Sequence, residues 1–364
     1  MFENKYLKGL TPYKLSSHRA WELSIDTEVL KLDWNEATIS PSPLVIERLM
    51  AALKNKNLNW YPDVNNITLS RKIAHYSQVS TEEVLYFPSS DSRHEYLIKA
   101  FIEPVDRILI IGPTYDNFRA VAESSGAVIS YFYLDENFSL DFTKLHNVID
   151  KINPNLLYIV NPNNPTGTFF PLEHLQQTIL KYPNILFVVD EAYYEFIGQS
   201  VVGFALSYNN VIITRTFSKA FALASFRIGY AISCPLNIQI LNKIRNAKNI
   251  PLLSQIAAEA ALDSIEYTKK YVLEVSEARE FFYENLKYFK SLIPYKSYAN
   301  FIFIKFISIE TKYDLLRFLE NYKIFVRDYK HVSGMENFIR ITIGTRDQME
   351  FVLEIIRNFF ENNS

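Results

Sequence analysis

Between residues 84 and 235, short apolar runs alternate with stretches whose apolar residues recur at helical spacing. The runs are Val84–Phe87, Ile108–Ile111, Val128–Phe132, Leu156–Val160, Ile185–Val189, Val211–Ile213 and Ile228–Ile232. Each reads as apolar on both faces, the pattern of a strand covered from both sides. Arg93–Ile102 and Leu172–Lys181 are among the intervening helical stretches. This alternation predicts an α/β domain on a doubly wound, mostly parallel sheet. Ligands of such sheets bind beyond the carboxyl ends of the strands, so the residues just after each run are where chemistry is sought.

Past residue 250 the pattern changes. A long helical stretch from Ser254 to about Phe289 leads to strands at Phe301–Phe306, Ile324–Val326 and Phe338–Ile343. A helix near Tyr313–Asn321 and a last one over Arg346–Phe360 complete a smaller α+β unit. The opening residues read as an arm, interrupted by Pro12, Pro41 and Pro43 before a helix over Pro43–Lys54. The expected division is an arm 1–36, a large domain 37–250 and a small C-terminal domain 251–364.

With 364 residues, 48% hydrophobic and 21% charged, the chain has the composition of a folded protein with a core of its own. Lys and Arg number 38 against 40 Asp and Glu, with no basic face, so no nucleic-acid partner is expected. The single Cys234 and six scattered histidines, His18, His75, His94, His146, His174 and His331, give no disulfide and no metal ligand pair. No apolar run approaches the ~18 residues of a membrane span, and the start MFENKYLKGL lacks a signal core, so a cytoplasmic location is expected. Glycine is scarce, at nine residues, and neither GxGxxG nor GxxxxGK[ST] occurs. A bound phosphate must therefore be held without either glycine cradle, and a nicotinamide dehydrogenase is excluded.

Three segments after apolar runs draw attention. Asn161-Pro-Asn-Asn-Pro-Thr-Gly167 is a stiff loop presenting Asn side chains, or simply a tight turn. Asp190 closes the run Ile185–Val189 and is followed by Glu191-Ala-Tyr193. A carboxylate there is buried and needs a cationic partner, unless it only caps the next helix. Thr216-Phe-Ser-Lys-Ala-Phe-Ala-Leu-Ala-Ser-Phe-Arg227 places Lys219 in apolar surroundings. Desolvation favours the neutral amine that forms Schiff bases; the alternative is a lysine that reaches out to solvent. Their occurrence at successive strand ends argues for one shared site.

Asn164-Pro-Thr-Gly167, Asp190-Glu-Ala-Tyr193 and Ser218-Lys-Ala-Phe-Ala-Leu with Arg227 resemble the signature of fold-type-I pyridoxal-phosphate aminotransferases, and within them the histidinol-phosphate aminotransferases. The likeness runs from Leu10-Thr-Pro-Tyr13 through Asn35-Glu36, Tyr61-Pro-Asp63 and Pro113-Thr-Tyr115 to Val326-Arg-Asp328 and Arg340-Ile-Thr-Ile-Gly-Thr345. It implies pyridoxal 5'-phosphate as cofactor in the large domain and the small α+β domain of that fold. Lys219 would carry the cofactor and shuttle the proton, Asp190 would pair with the pyridine nitrogen, and Asn164 and Tyr193 would bond the ring oxygen. Tyr115 would stack on the ring, unless it is ordinary core packing. Backbone amides of Ser90 and Asp91, the Ser89 and Ser90 hydroxyls, Ser218 and Arg227 would hold the phosphate. Tyr61 would arrive from a second subunit of a homodimer. Tyr13, Asn35, Arg340 and Arg327 would face the substrates, Arg340 on the donor carboxylate. Arg327 either grips a substrate phosphate or makes a surface ion pair with Asp328 or a nearby acid.

Phe87-Pro-Ser-Ser-Asp-Ser92 stands where relatives carry a Gly-rich turn, and Ser225-Phe226 replaces a common Gly-Leu pair. Arg93 and His94 are expected to be solvated helix residues, or to read a second phosphate. The implied reaction is exchange of an amino group between an amino acid, glutamate or alanine, and a small phosphorylated ketone. Histidinol-phosphate aminotransferases use imidazole acetol phosphate. Dihydroxyacetone phosphate carries a hydroxyl in place of the imidazole and would give serinol phosphate for a sugar or surface-polymer pathway. An amino-acid phosphate decarboxylase is the remaining alternative.

Overall fold

A computed structural model describes residues 2–12, 19–24, 28–55 and 57–362. Strand β1 (Leu30–Leu32) precedes a seven-stranded sheet built from β2 (Val84–Phe87), β3 (Arg107–Gly112), β4 (Val128–Tyr133), β5 (Leu156–Val160), β6 (Leu186–Asp190), β7 (Val211–Thr216) and β8 (Gly229–Ser233). Its order is β2-β8-β7-β6-β5-β3-β4, parallel except that β8 runs antiparallel to both neighbours. The predicted α/β sheet is therefore present. Alternate residues of the central strands enter different cores: Leu157, Ile159 and Val189 pack on one face, Tyr158, Val160 and Val188 on the other. This two-sided burial explains runs with no polar alternation. Strand β4 departs from the expectation, because it forms the sheet edge and leaves Val128 and Tyr133 exposed.

A second sheet contains β9 (Leu292–Pro294), β10 (Phe301–Phe306), β11 (Ile324–Asp328) and β12 (Phe338–Thr342), in the order β1-β11-β12-β10-β9. Helices Ile265–Leu286, Ile309–Asn321 and Arg346–Asn362 supply its core through Phe282, Leu315, Val352 and Ile356. Strand β1, from the expected arm, pairs parallel with β11, so the N-terminal segment is woven into the C-terminal unit. The expected single helix from Ser254 is instead two, Leu252–Asp263 and Ile265–Leu286. They meet at Ser264 (φ −111°, ψ 36°), whose hydroxyl donates to the Ala260 carbonyl at 2.8 Å. A serine bonding back to the preceding turn competes with helical continuation. The helix expected from Arg93 begins earlier, at Ser89, and helix Ile67–Ser77 adds an element the pattern did not suggest. Among the described residues no helix is long and apolar enough to cross a membrane.

The loop after β5 is tied to the second unit at Gly167. Its φ is +77°, and a Cβ there would lie 2.5 Å from Ser297 Cβ and 2.9 Å from Ser297 Cα. The Tyr298 amide donates to the Gly167 carbonyl at 2.8 Å. Only glycine meets both demands. Gly167→Ala should lower the unfolding free energy by about 1–3 kcal/mol, the cost of a strained left-handed residue, read as a fall in the urea midpoint. A variant as stable as the parent would show that segment 297–300 does not pin this loop.

Candidate active site

Strands β5, β6 and β7 are parallel, so residues 161–167, 190–193 and 217–227 emerge on one sheet edge. Asp190, last in β6, is 4% exposed. Three side chains converge on its Oδ2: the Tyr158 hydroxyl donates at 3.1 Å, and Arg93 Nη2 and His94 Nε2 each stand 3.4 Å away. The Ala192 amide donates to Oδ1 at 3.1 Å. Burial alone would raise the Asp190 pKa, but the Arg93 guanidinium, followed by His94 and Tyr158, holds it below the usual carboxylate value. The cation that a buried Asp190 required is thus Arg93.

This overturns the expectation that Arg93 and His94 are solvated, for both are wholly buried. Helix Ser89–Phe101 packs on the sheet, and Arg93 and His94 lie one turn before Leu97 and Ile98, which are buried on the same face. That i, i+4 relation was present in the sequence and was the available signal. His94 Nδ1 is buried with no hydrogen-bond partner, and its ring lies 6.3 Å from that of Tyr115. Glu191 faces away from this cluster, in an ion pair with Arg215 at 2.9 Å, both 2% exposed. Pattern alone gave no sign of that pairing.

Lys219 Nζ donates to the Trp34 carbonyl at 2.7 Å. Lys31 steadies the turn carrying Trp34, bonding Asp33 at 2.8 Å and also Glu36. Asn35 comes from the same turn; its Nδ2 donates to the Tyr193 hydroxyl at 2.9 Å, and Asn300 Nδ2 donates to its carbonyl at 3.0 Å. Burial pushes the Tyr193 hydroxyl up to about 12, so it keeps its proton. Arg340, from β12, donates to Asn164 Oδ1, to the Tyr329 hydroxyl at 3.2 Å and to the Asp33 carbonyl at 2.7 Å. Asn164, Tyr193, Asn35 and Arg340 are therefore one connected set, drawn from both sheets. Arg327 is buried in β11. Its neighbour Asp328 is bonded at 2.7 Å by the buried Lys312.

At the first turn of helix Ser89–Phe101, Ser89 adopts φ +78°, a region that favours glycine, and its Oγ accepts from the Ser92 amide at 3.3 Å. Ser90 and Asp91 lie in that turn by their backbone. Ser218 Oγ is buried with no hydrogen-bond partner. Arg227 is exposed at φ +51°, with Nη1 donating to the Ala224 carbonyl at 3.0 Å. It caps the short turn Ala224–Phe226 that includes Ser225-Phe226. Tyr115 is half-buried, and Tyr61 is 79% exposed under Lys248, whose Nζ is 5.0 Å from the ring centroid. Tyr13 lies outside the described residues.

The sequence profile of aminotransferase classes I and II matches residues 27–356. A dihydroxyacetone phosphate transaminase of Campylobacter jejuni is 48% identical over 99% of this chain and 97% of its own. A histidinol-phosphate aminotransferase of Clostridium kluyveri is 34% identical over 90% and 92%. The structure of histidinol-phosphate aminotransferase from Sinorhizobium meliloti, in complex with pyridoxal-5'-phosphate, superposes with a TM-score of 0.89 over 100% of this chain and 99% of that one, at 22% identity. The lysine, the buried carboxylate and the Asn loop thus stand on the expected fold, and the chain belongs to the class I and II aminotransferases, as a pyridoxal-phosphate-dependent aminotransferase of fold type I.

Proposed function

We propose that this chain transfers an amino group from an amino acid such as glutamate or alanine to dihydroxyacetone phosphate, giving serinol phosphate. The carrying observation is the 48% identity, over nearly the whole chain, to a transaminase named for that ketone, against 34% for a histidinol-phosphate aminotransferase. In this reading residues 1–36 are an arm, 37–250 the cofactor domain and 251–364 the small domain, in a cytoplasmic homodimer.

The strand-end residues fit pyridoxal phosphate. Ser218 Oγ is a buried hydroxyl lacking a partner, and the first-turn amides of helix Ser89–Phe101 suit an anion. Ser89 and Ser90 hydroxyls and Arg227 join them in this assignment, Arg227 by turning inward from the Ala224 carbonyl. When bound, the cofactor supplies the electron sink for the pair left as substrate Cα loses its proton. Lys219 Nζ would anchor the cofactor, then take the proton from substrate Cα and deliver it to the cofactor carbon that carries the amino nitrogen. Asp190 keeps the ring nitrogen protonated, while the Asn164 amide and the Tyr193 hydroxyl, steadied by Asn35, bond the ring oxygen. Tyr115 covers the ring face. Arg340, fixed by the Asp33 carbonyl and Tyr329, takes the donor's carboxylate as a planar fork. Arg327 takes the substrate phosphate, and Tyr13 is assigned to the substrate pocket. Tyr61 reaches in from a second copy of the chain. Ile46, Met50 and Leu53, at helical spacing on Pro43–Asn55, are exposed, as are Trp60 and Tyr61, and they suit contact with that copy.

Offered each acceptor after loading with glutamate or alanine, the enzyme should show kcat/KM for dihydroxyacetone phosphate at least about tenfold above that for imidazole acetol phosphate, the discrimination one reshaped pocket wall can give. The reverse order would make the chain a histidinol-phosphate aminotransferase. Arg340→Leu should reduce kcat/KM for the donor roughly ten- to a hundredfold, the loss of a charged hydrogen bond worth ~1.5–3 kcal/mol. An unaltered donor profile would move the carboxylate site elsewhere. Trp60→Asp combined with Tyr61→Asp should give a monomer by light scattering with lost turnover, and an active dimer would contradict the shared site.

A further inference from the structure

The Asp190 carboxylate poses a problem of charge. A carboxylate so buried, with no counter-charge, takes up a proton, and a neutral acid does not hold a protonated ring nitrogen. The ring nitrogen is itself the positive partner once the cofactor is bound, but before that the protein must provide one. Arg93 is built in at this position. Its Nη1 donates to the Arg215 carbonyl at 2.8 Å and lies 3.5 Å from the Tyr230 carbonyl, while Nη2 reaches toward Asp190. Gly229 spares the carbonyl that holds it: a Cβ there would be 2.8 Å from the Arg215 carbonyl, while lying at ordinary contact distance, 3.4 Å, from Arg93 Nη1. At 3.4 Å the contact to Oδ2 is an ion pair rather than a tight hydrogen bond, so the carboxylate retains acceptor capacity for the ring nitrogen.

We propose that Arg93 is a positioning residue that keeps the Asp190 carboxylate ionised and oriented for the pyridine nitrogen before the cofactor arrives, with His94 and Tyr158 sharing the same oxygen. The proposal rests on the assignment of Asp190 to that nitrogen. The titratable groups around the carboxylate are Arg93 and His94 from the helix, Tyr158 from β5 and Tyr193 beyond β6, with Tyr115 beside His94. The neighbouring Arg215 side chain is engaged by Glu191.

The test is the pH dependence of pyridoxal phosphate binding to the unloaded protein, followed by cofactor absorbance. For Arg93→Leu, Asp190 should titrate higher, so the ratio of variant to parent Kd should climb as pH falls from about 8.5 to about 6, by up to about tenfold per unit, the slope of one coupled proton. Arg93→Lys should flatten that ratio again. A packing role alone would lower the melting temperature of the unloaded protein without bending this profile, and a flat ratio for Arg93→Leu overturns the proposal. Should Arg93→Leu not fold, Tyr158→Phe removes a donor from the same oxygen and should bend the ratio in the same direction, and a flat ratio there counts equally against it. Asp190→Asn separates the two claims: weakened binding at every pH supports the placement of Asp190, whereas parent-like affinity overturns that placement and this proposal together.

Discussion

A single ionised carboxylate, sealed inside the protein at the end of a central strand, sets the terms for everything around it. Asp190 can remain charged at 4% exposure only because its neighbours are a guanidinium and hydrogen-bonding groups. That requirement fixes what the helix on that face must carry at its first inward positions, and it accounts for an arginine where an ordinary α/β helix would place an apolar residue. Glycine at 229 answers a different demand, since a Cβ there would run into the Arg215 carbonyl of the neighbouring strand, the same carbonyl that accepts from Arg93.

The opposite side of the site depends on parts remote in sequence. Lys219 is held by a carbonyl of the N-terminal segment, Tyr193 by Asn35 of that segment, and Asn164 by Arg340 of the second sheet. Strand β1 joins the second sheet, so movement of that sheet relative to the first would carry Trp34, Asn35 and Arg340 together. The site is thus shared between two cores, and Gly167 is one point of their contact.

Much of this was legible in the sequence. Runs apolar on both faces marked the covered strands, and polar residues just beyond them marked the ligand edge, because strand direction and burial both act locally. Asp190 reads from its place after an apolar run as a buried acid in need of a partner, whereas the charge of Arg93 points it to solvent. Helical phase points the other way, because Leu97 and Ile98 one turn on mark the buried face. The pairings of Asn35 with Tyr193, Arg340 with Asp33 and Lys312 with Asp328 had no local signature, since each joins residues brought together by tertiary packing. The break at Ser264 was equally hidden, because one serine hydroxyl does not disturb the hydrophobic period.

The most direct measurement is a crystal structure of the protein loaded with pyridoxal phosphate. The account predicts the ring nitrogen at hydrogen-bond distance from the Asp190 carboxylate, Lys219 joined to the opposite end of the ring, and Arg93 still beside Asp190 Oδ2. A ring seated away from Asp190, or a cofactor bound to a different lysine, would contradict it.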